Sequence, residues 1–164
     1  MELLNTAILL YYIDMEEKYV KKIASLAKKA FTKKEIPIGA IVIDKDGKII
    51  GEGYNLTHKN KDSTKHAEII ALQKAFKKKK DWRLDGCTLM VNLEPCLMCL
   101  GAIANARLKK VVYFIDDPQF GSVASKLTKA QLKKLFPKLT IEKVADNLDT
   151  LALLQEFFKN LRSK

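Results

Sequence analysis

A single α/β domain is the fold this sequence predicts, and three patterns carry that expectation. Two Ile- and Val-rich runs, residues 39–44 and 48–54, flank Lys45-Asp46-Gly47, whose Asp-Gly step is a hairpin signal. A second pair of apolar runs, 88–92 and 111–115, brackets a helical stretch beginning near Cys96, which is the pattern of a βαβ unit. The 164 residues are 48% hydrophobic, enough for one sizeable core and too apolar for a disordered chain.

Taken in order, residues 16–33 place Tyr19, Val20, Ile23, Leu26, Ala27, Ala30 and Phe31 on one helical stripe, so a first helix turns one face inward. The two hairpin strands then pair antiparallel. Polar residues 57–65 form a loop, with Asp62, Ser63 or Thr64 available to cap the helix that carries His66 and Glu68. That helix runs out at Lys77-Lys78-Lys79-Lys80, where lysines oppose the helix dipole and need no ligand. The strand at 88–92 leads through Leu93-Glu94-Pro95 into the Cys96 helix. A right-handed crossover makes it parallel to 111–115 and sets the cysteines at the carboxyl end of a strand, where ligands bind in open α/β sheets. Residues 116–125 are irregular; a short helix from Thr128, a weak strand around 139–142 and a last helix from about Asp149 complete the chain.

The chemistry lies in His66-Ala67-Glu68 and, about thirty residues on, Pro95-Cys96-Leu97-Met98-Cys99. Two thiolates and an imidazole suit Zn²⁺, and three protein ligands leave the fourth tetrahedral position to water, as in catalytic sites. A fourth ligand would have to be Cys87, His58 or a carboxylate, none at a convincing spacing. Glu68, two residues past His66, can reach water on the metal without being a ligand and can carry its proton. The rival for Cys96 and Cys99 is a redox C-x-x-C pair at a helix start, which has no need of His66-Ala67-Glu68 upstream. His58 reads as a surface residue of a polar stretch, and Cys87, ahead of an apolar run, as a buried and unreactive thiol.

A net charge of +11 permits a nucleic-acid partner without diagnosing one, because only three of the 30 basic residues are Arg. Two of the three cysteines are committed to metal, which leaves no disulfide framework, and the start lacks a signal-peptide pattern. A reducing cytoplasm is the expected compartment. The apolar run 7–13 is far shorter than the roughly 20 residues of a membrane span, so no membrane association is expected.

The H-x-E and P-C-x-x-C pair resembles the signature of the zinc nucleobase deaminases. Over residues 16–162 the chain is similar to the bacterial tRNA-specific adenosine deaminases of the cytidine deaminase superfamily. The segments that carry this are Glu35-Ile36-Pro37-Ile38-Gly39-Ala40, Gly51-Glu52-Gly53-Tyr54-Asn55, Trp82-Arg83-Leu84, the stretch from Leu93 to Ile103, and that from Leu153 to Arg162. The resemblance implies a three-layer α/β/α cytidine-deaminase-like fold with a five-stranded mixed sheet, in a homodimer. It implies Zn²⁺ on His66, Cys96 and Cys99, and hydrolysis of adenosine to inosine at the wobble position of a tRNA anticodon, with Glu68 as proton shuttle. Asn55, Pro37, Ala67 and Pro95 match its substrate-binding positions. Phe157, Phe158, Lys159 and Arg162 match its RNA-contacting terminal helix, although an aromatic pair at helical spacing is more often a core signal.

The chain departs from the family at Ser63 (usually Pro), Lys65 (usually Ala), Asp116 (usually basic) and Gln119-Phe120 (usually Lys-Thr). Lys65 could act on the metal's water, meet a phosphate or point into solvent. Residues 1–14 lie outside the resemblance as an N-terminal extension, and 15–164 form a single zinc-dependent deaminase domain. Two other functions stay open: deamination of a free base or nucleoside such as guanine or cytosine, and a noncatalytic zinc-stabilised RNA-binding module. Pro37, the Leu93-Glu94-Pro95 context and the Phe-Phe helix count against the first; Glu68 counts against the second.

Overall fold

A computed structural model describes residues 2–145 and 149–162, with side chains from Glu17 onward. Its elements are α1 (Glu2–Thr32), β1 (Gly39–Ile43), β2 (Ile49–Tyr54), α2 (Thr57–Asn60), α3 (Ala67–Lys79), β3 (Thr88–Leu93), α4 (Leu97–Asn105), β4 (Lys110–Ile115), α5 (Lys129–Leu135), β5 (Thr140–Lys143) and α6 (Thr150–Arg162). The strands form one mixed sheet in the order β2-β1-β3-β4-β5. β1 is antiparallel to both β2 and β3, while β3, β4 and β5 run parallel.

Helices cover both faces, which explains why the central strands are apolar throughout rather than alternating with polar residues. One face turns Ile41, Ile43, Met90, Val112 and Phe114 against Tyr19, Ile23 and Leu26 of α1. The other turns Ala40, Val42, Leu89, Val91, Val111 and Tyr113 against Ala67, Ala71, Leu72 and Ala75 of α3 and Ile103 of α4. The α1 stripe read from the sequence is the buried one, and α6 packs beside α1. The hairpin turns at Gly47 (φ 77°), with the Asp44 carboxylate accepting from the amides of Asp46 and Lys48.

Two expectations about the 57–65 loop need correction. Thr57–Asn60 is a helical turn, not irregular chain, because the buried Glu35 carboxylate accepts from the amides of His58 (3.1 Å) and Lys59 (2.6 Å). That partner lies 23 and 24 residues away, beyond what local sequence can reveal. Nor does Asp62, Ser63 or Thr64 cap α3: the N-cap is His66, and Asp62 instead folds the loop by accepting from the amide and hydroxyl of Thr64. Helix α1 runs unbroken from Glu2, and the side chains of its 7–13 segment lie outside the described residues. Among the described residues no helix is long and apolar enough to cross a membrane.

Gly51 and Gly53 set how closely α3 lies on β2. A Cβ on Gly53 would sit 2.0 Å from the Ala67 carbonyl oxygen and 2.7 Å from the Ala71 nitrogen, both backbone atoms that cannot rotate away. Gly53→Ala is therefore expected to push α3 and its metal-binding start off the sheet, lowering unfolding stability in urea by about 2 kcal/mol or more.

Candidate metal centre

Sheet topology gathers the site at one end. β3 ends at Leu93, and Cys96 caps the helix that follows; α3 begins one residue after His66. Both caps are extended residues that make no side-chain bond to their helix, so both helix starts leave first-turn N–H groups directed at the same region. His66 Nδ1 lies 3.7 Å from Cys96 Sγ and 3.6 Å from Cys99 Sγ, and all three ligand atoms fall within 4.8 Å of one another. Zinc bonds of about 2.3 Å to sulfur and 2.0–2.1 Å to nitrogen at tetrahedral angles place N and S about 3.6 Å apart. The donor set fits zinc in both type and spacing.

The two thiols do not share that environment evenly. Bonding from Cys99 pulls Cys96 down to about 4, whereas that same neighbour contact, together with burial, drives Cys99 far up. One proton held between two sulfurs is the arrangement a divalent cation displaces. Cys87, before the opposite end of β3, is buried and its thiol is raised by desolvation, as expected of an inert residue. His58 is exposed.

Glu68 occupies the first turn of α3 and is buried. Burial pushes its carboxyl upward against the pull of His66, and its Oε2 has no hydrogen-bond partner. Asn55 closes the end of β2, also buried: its amide nitrogen reaches Thr57 Oγ1 at 3.3 Å, and its Oδ1 is unpartnered. Pro37, Ala67 and Pro95 are all buried. The Glu68 Oε2 and the Asn55 Oδ1 are thus buried acceptors without a protein donor, on the segments that lead into and out of the His66 turn, and are free to meet a polar group.

Three residues that hold the segments around the cluster were not among the sequence-derived candidates. Asn92 Oδ1 accepts from the Gly39 amide (2.9 Å) and its Nδ2 donates to the Pro37 carbonyl (3.0 Å), fixing the Pro37 segment to β3. Glu35 secures the loop after Asn55. Glu94 accepts from the loop after β4, through the amides of Asp117, Val123, Ala124 and Ser125 and the Ser125 hydroxyl. Desolvation would raise Glu94, but the bonds from Ser125, Asp117 and Ala124 outweigh it and hold the carboxyl below its ordinary value. Polar residues at the end of a buried strand, as in Val91-Asn92-Leu93-Glu94, were the available signal.

The remaining sequence candidates separate by exposure. Phe157 packs inward, edge-on to Phe158, so the outward ring of α6 is that of Phe158, 39% exposed, with Lys159 and Arg162 also exposed. Lys65 leans to Asp62 at 3.8 Å, and Asp116 pairs with Lys143 at 2.5 Å. Phe120 projects from the Glu94-held loop at 63% exposure.

The sequence profile of the MafB19-like deaminase family matches residues 14–162. The tRNA-specific adenosine deaminase of Streptococcus pyogenes is 33% identical over 154 residues, covering 94% of this chain and 90% of that protein. A solved structure from work on A-to-I editing by tRNA:A34 deaminases at the wobble position superposes with a TM-score of 0.71 at 30% identity, covering 79% of this chain and 98% of that one. The guanine deaminase of Bacillus subtilis is also 30% identical, with coverages of 87% and 93%, but superposes less closely, at a TM-score of 0.59.

Proposed function

This chain belongs to the deaminase family that includes the tRNA-specific adenosine deaminases, and from that membership we propose that it hydrolyses adenosine to inosine at the wobble position of a tRNA anticodon. The observation that carries the reaction is the buried Glu68 carboxylate, its Oε2 unpartnered, beside the His66, Cys96 and Cys99 cluster. A purely structural zinc site has no use for it. Zinc held by those three residues supplies Lewis-acid activation of water. Glu68 would take a proton from the attacking water at Oε2 and give it to the purine ring nitrogen beside the amine-bearing carbon as the water oxygen bonds to that carbon; it would then pass the second water proton to the amine, so that the C–N bond breaks with ammonia leaving. Asn55 offers its unpartnered Oδ1 to the edge of the flipped base, while Asn92 and Glu35 hold the walls on which Pro37 and Asn55 stand.

Incubating the zinc-loaded protein with an anticodon stem-loop carrying a wobble adenosine, alongside free guanine, cytosine and cytidine, tests the assignment by mass spectrometry. Inosine in the stem-loop is the expected product. Turnover of guanine alone would move the chain to the activity of its guanine deaminase neighbour. Asn55→Ala is expected to lower kcat/KM on the stem-loop about 10- to 100-fold, the worth of one or two hydrogen bonds to the base. The melting temperature should hardly change, because the side chain removed carries an unsatisfied acceptor.

The same reading covers assembly, boundaries and compartment. A homodimer through the outer face of α3 and α4 is supported by exposed Leu97, Met98 and Trp82 and by a cavity of about 300 Å³ between Ile69, Phe76, Trp82 and Ala102. A monomer in sedimentation at working concentration would count against it. The catalytic domain spans 15–164, and removing residues 1–14 is expected to leave zinc content and turnover intact. Free thiols dedicated to metal suit the reducing cytoplasm.

A further inference from the structure

We infer that the flank of α1 bordering β2, together with the cleft at the β1–β2 hairpin, is a docking track for an RNA phosphate backbone leading away from the base pocket. This rests on the RNA-substrate reading above. Residues 18–34 contain seven lysines, Lys18, Lys21, Lys22, Lys28, Lys29, Lys33 and Lys34, and no acidic residue. Like charges four apart on a helix destabilise it by a few tenths of a kcal/mol, and the pair Lys18/Lys22 stands at that spacing in α1. Solubility needs charge, not charge of one sign along one flank.

Three contacts fix which flank this is. The Tyr19 hydroxyl donates to the Gly47 carbonyl, Lys22 pairs with Glu52 at 3.0 Å, and the Lys29 ammonium sits 5.0 Å from the Tyr54 ring centroid. Lys18, Lys22 and Lys29 therefore border β2 over about 16 Å of helix, with Lys33 in the turn just past α1. β2 is an edge strand, and its end leads directly into Asn55. Its start, about 17 Å away along the strand, opens on a cleft of about 700 Å³. Lys18, Lys21, Lys22, Lys48 and Lys78 line that cleft with one carboxylate, Glu52, which Lys22 engages, while Lys21 pairs with Glu17 on its own helix at 2.5 Å. Lysines, as compact point charges, suit a sequence-independent backbone more than base recognition. A strand whose wobble base is flipped in at Asn55 finds lysines in excess of carboxylates along this edge, with Glu52 the acidic residue of β2.

The test uses a full-length tRNA with guanosine at the wobble position, so that binding is read without deamination. The track variant Lys18→Gln/Lys29→Gln/Lys48→Gln is compared with a charge-matched control, Lys133→Gln/Lys134→Gln/Lys138→Gln, by anisotropy between 50 and 200 mM salt. The track variant should lower the slope of log K against log salt by about two and weaken binding about tenfold at the low end, with the control near wild type. Equal losses in both variants, or none, would overturn the track. So would wild-type affinity for polyglutamate matching that for tRNA, which would mark an acidic protein as its partner. Inosine formation is scored separately. A failed deamination assay with the slope change intact rejects the activity alone, and the converse rejects the track alone.

Discussion

Replacing Glu68 by alanine is expected to leave zinc bound and the fold intact while lowering turnover about 10³-fold or more. The metal cluster consists of His66, Cys96 and Cys99, and Glu68 is not one of its members, so metal content should not follow the substitution. Stability should follow it little, since the Glu68 Oε2 is buried without a partner and its removal relieves an unsatisfied acceptor. The rate is another matter. General acid–base catalysis contributes about 10²–10⁴-fold, and Glu68 serves both protonation of the ring and departure of ammonia, so a loss near 4 kcal/mol of transition-state stabilisation is expected. Glu68→Gln keeps the shape but moves no proton and should lose as much. Metal analysis beside single-turnover inosine formation decides it: parallel loss of zinc and rate would make Glu68 a ligand or a structural residue.

Glu94→Ala carries the largest expected stability effect. The carboxylate is 3% exposed and receives five donors, the amides of Asp117 (2.8 Å), Val123 (2.8 Å), Ala124 (2.8 Å) and Ser125 (3.1 Å) and the Ser125 hydroxyl (2.6 Å). Gly121 packs so closely that a Cβ there would fall 2.3 Å from the Glu94 Cδ. An alanine leaves these donors unsatisfied around a void, at a cost of about 3–5 kcal/mol, or about 6–20 °C in Tm. Glu94→Gln keeps one acceptor oxygen and should recover part of the loss. Since Pro95 and Cys96 follow directly, zinc content should fall with the fold as denaturant rises. A loss below about 1 kcal/mol would mean the 116–125 loop is held by something else.

What was legible in the sequence was what local pattern encodes. The α1 stripe, the Asp-Gly hairpin, the βαβ unit and the short helix from Thr128 all depend on residues close in sequence, and all form near the expected places. The metal ligands were legible because H-x-E and C-x-x-C fix donor spacing at two helix starts. Distant polar contacts were not: Glu35 reaches α2 across 23 residues and Asn92 reaches Pro37 across 55, and no window of sequence holds both partners. Phe157 and Phe158 differ only in which side of α6 they occupy, a choice made by packing and unseen in a Phe-Phe pair.

The missing side-chain caps at α3 and α4 have a thermodynamic consequence. α5, which holds nothing, is closed by a full capping box, whereas His66 and Cys96 begin their helices without one. Those two residues turn their side chains to the metal position instead, so a single ion ties down two helix starts that no hydroxyl or carboxylate secures. Ligation and helix nucleation then become one equilibrium. Each tenfold rise in free zinc above its dissociation constant adds about 1.4 kcal/mol to the folded state, and the cell's zinc buffer becomes part of what decides whether this chain is folded at all.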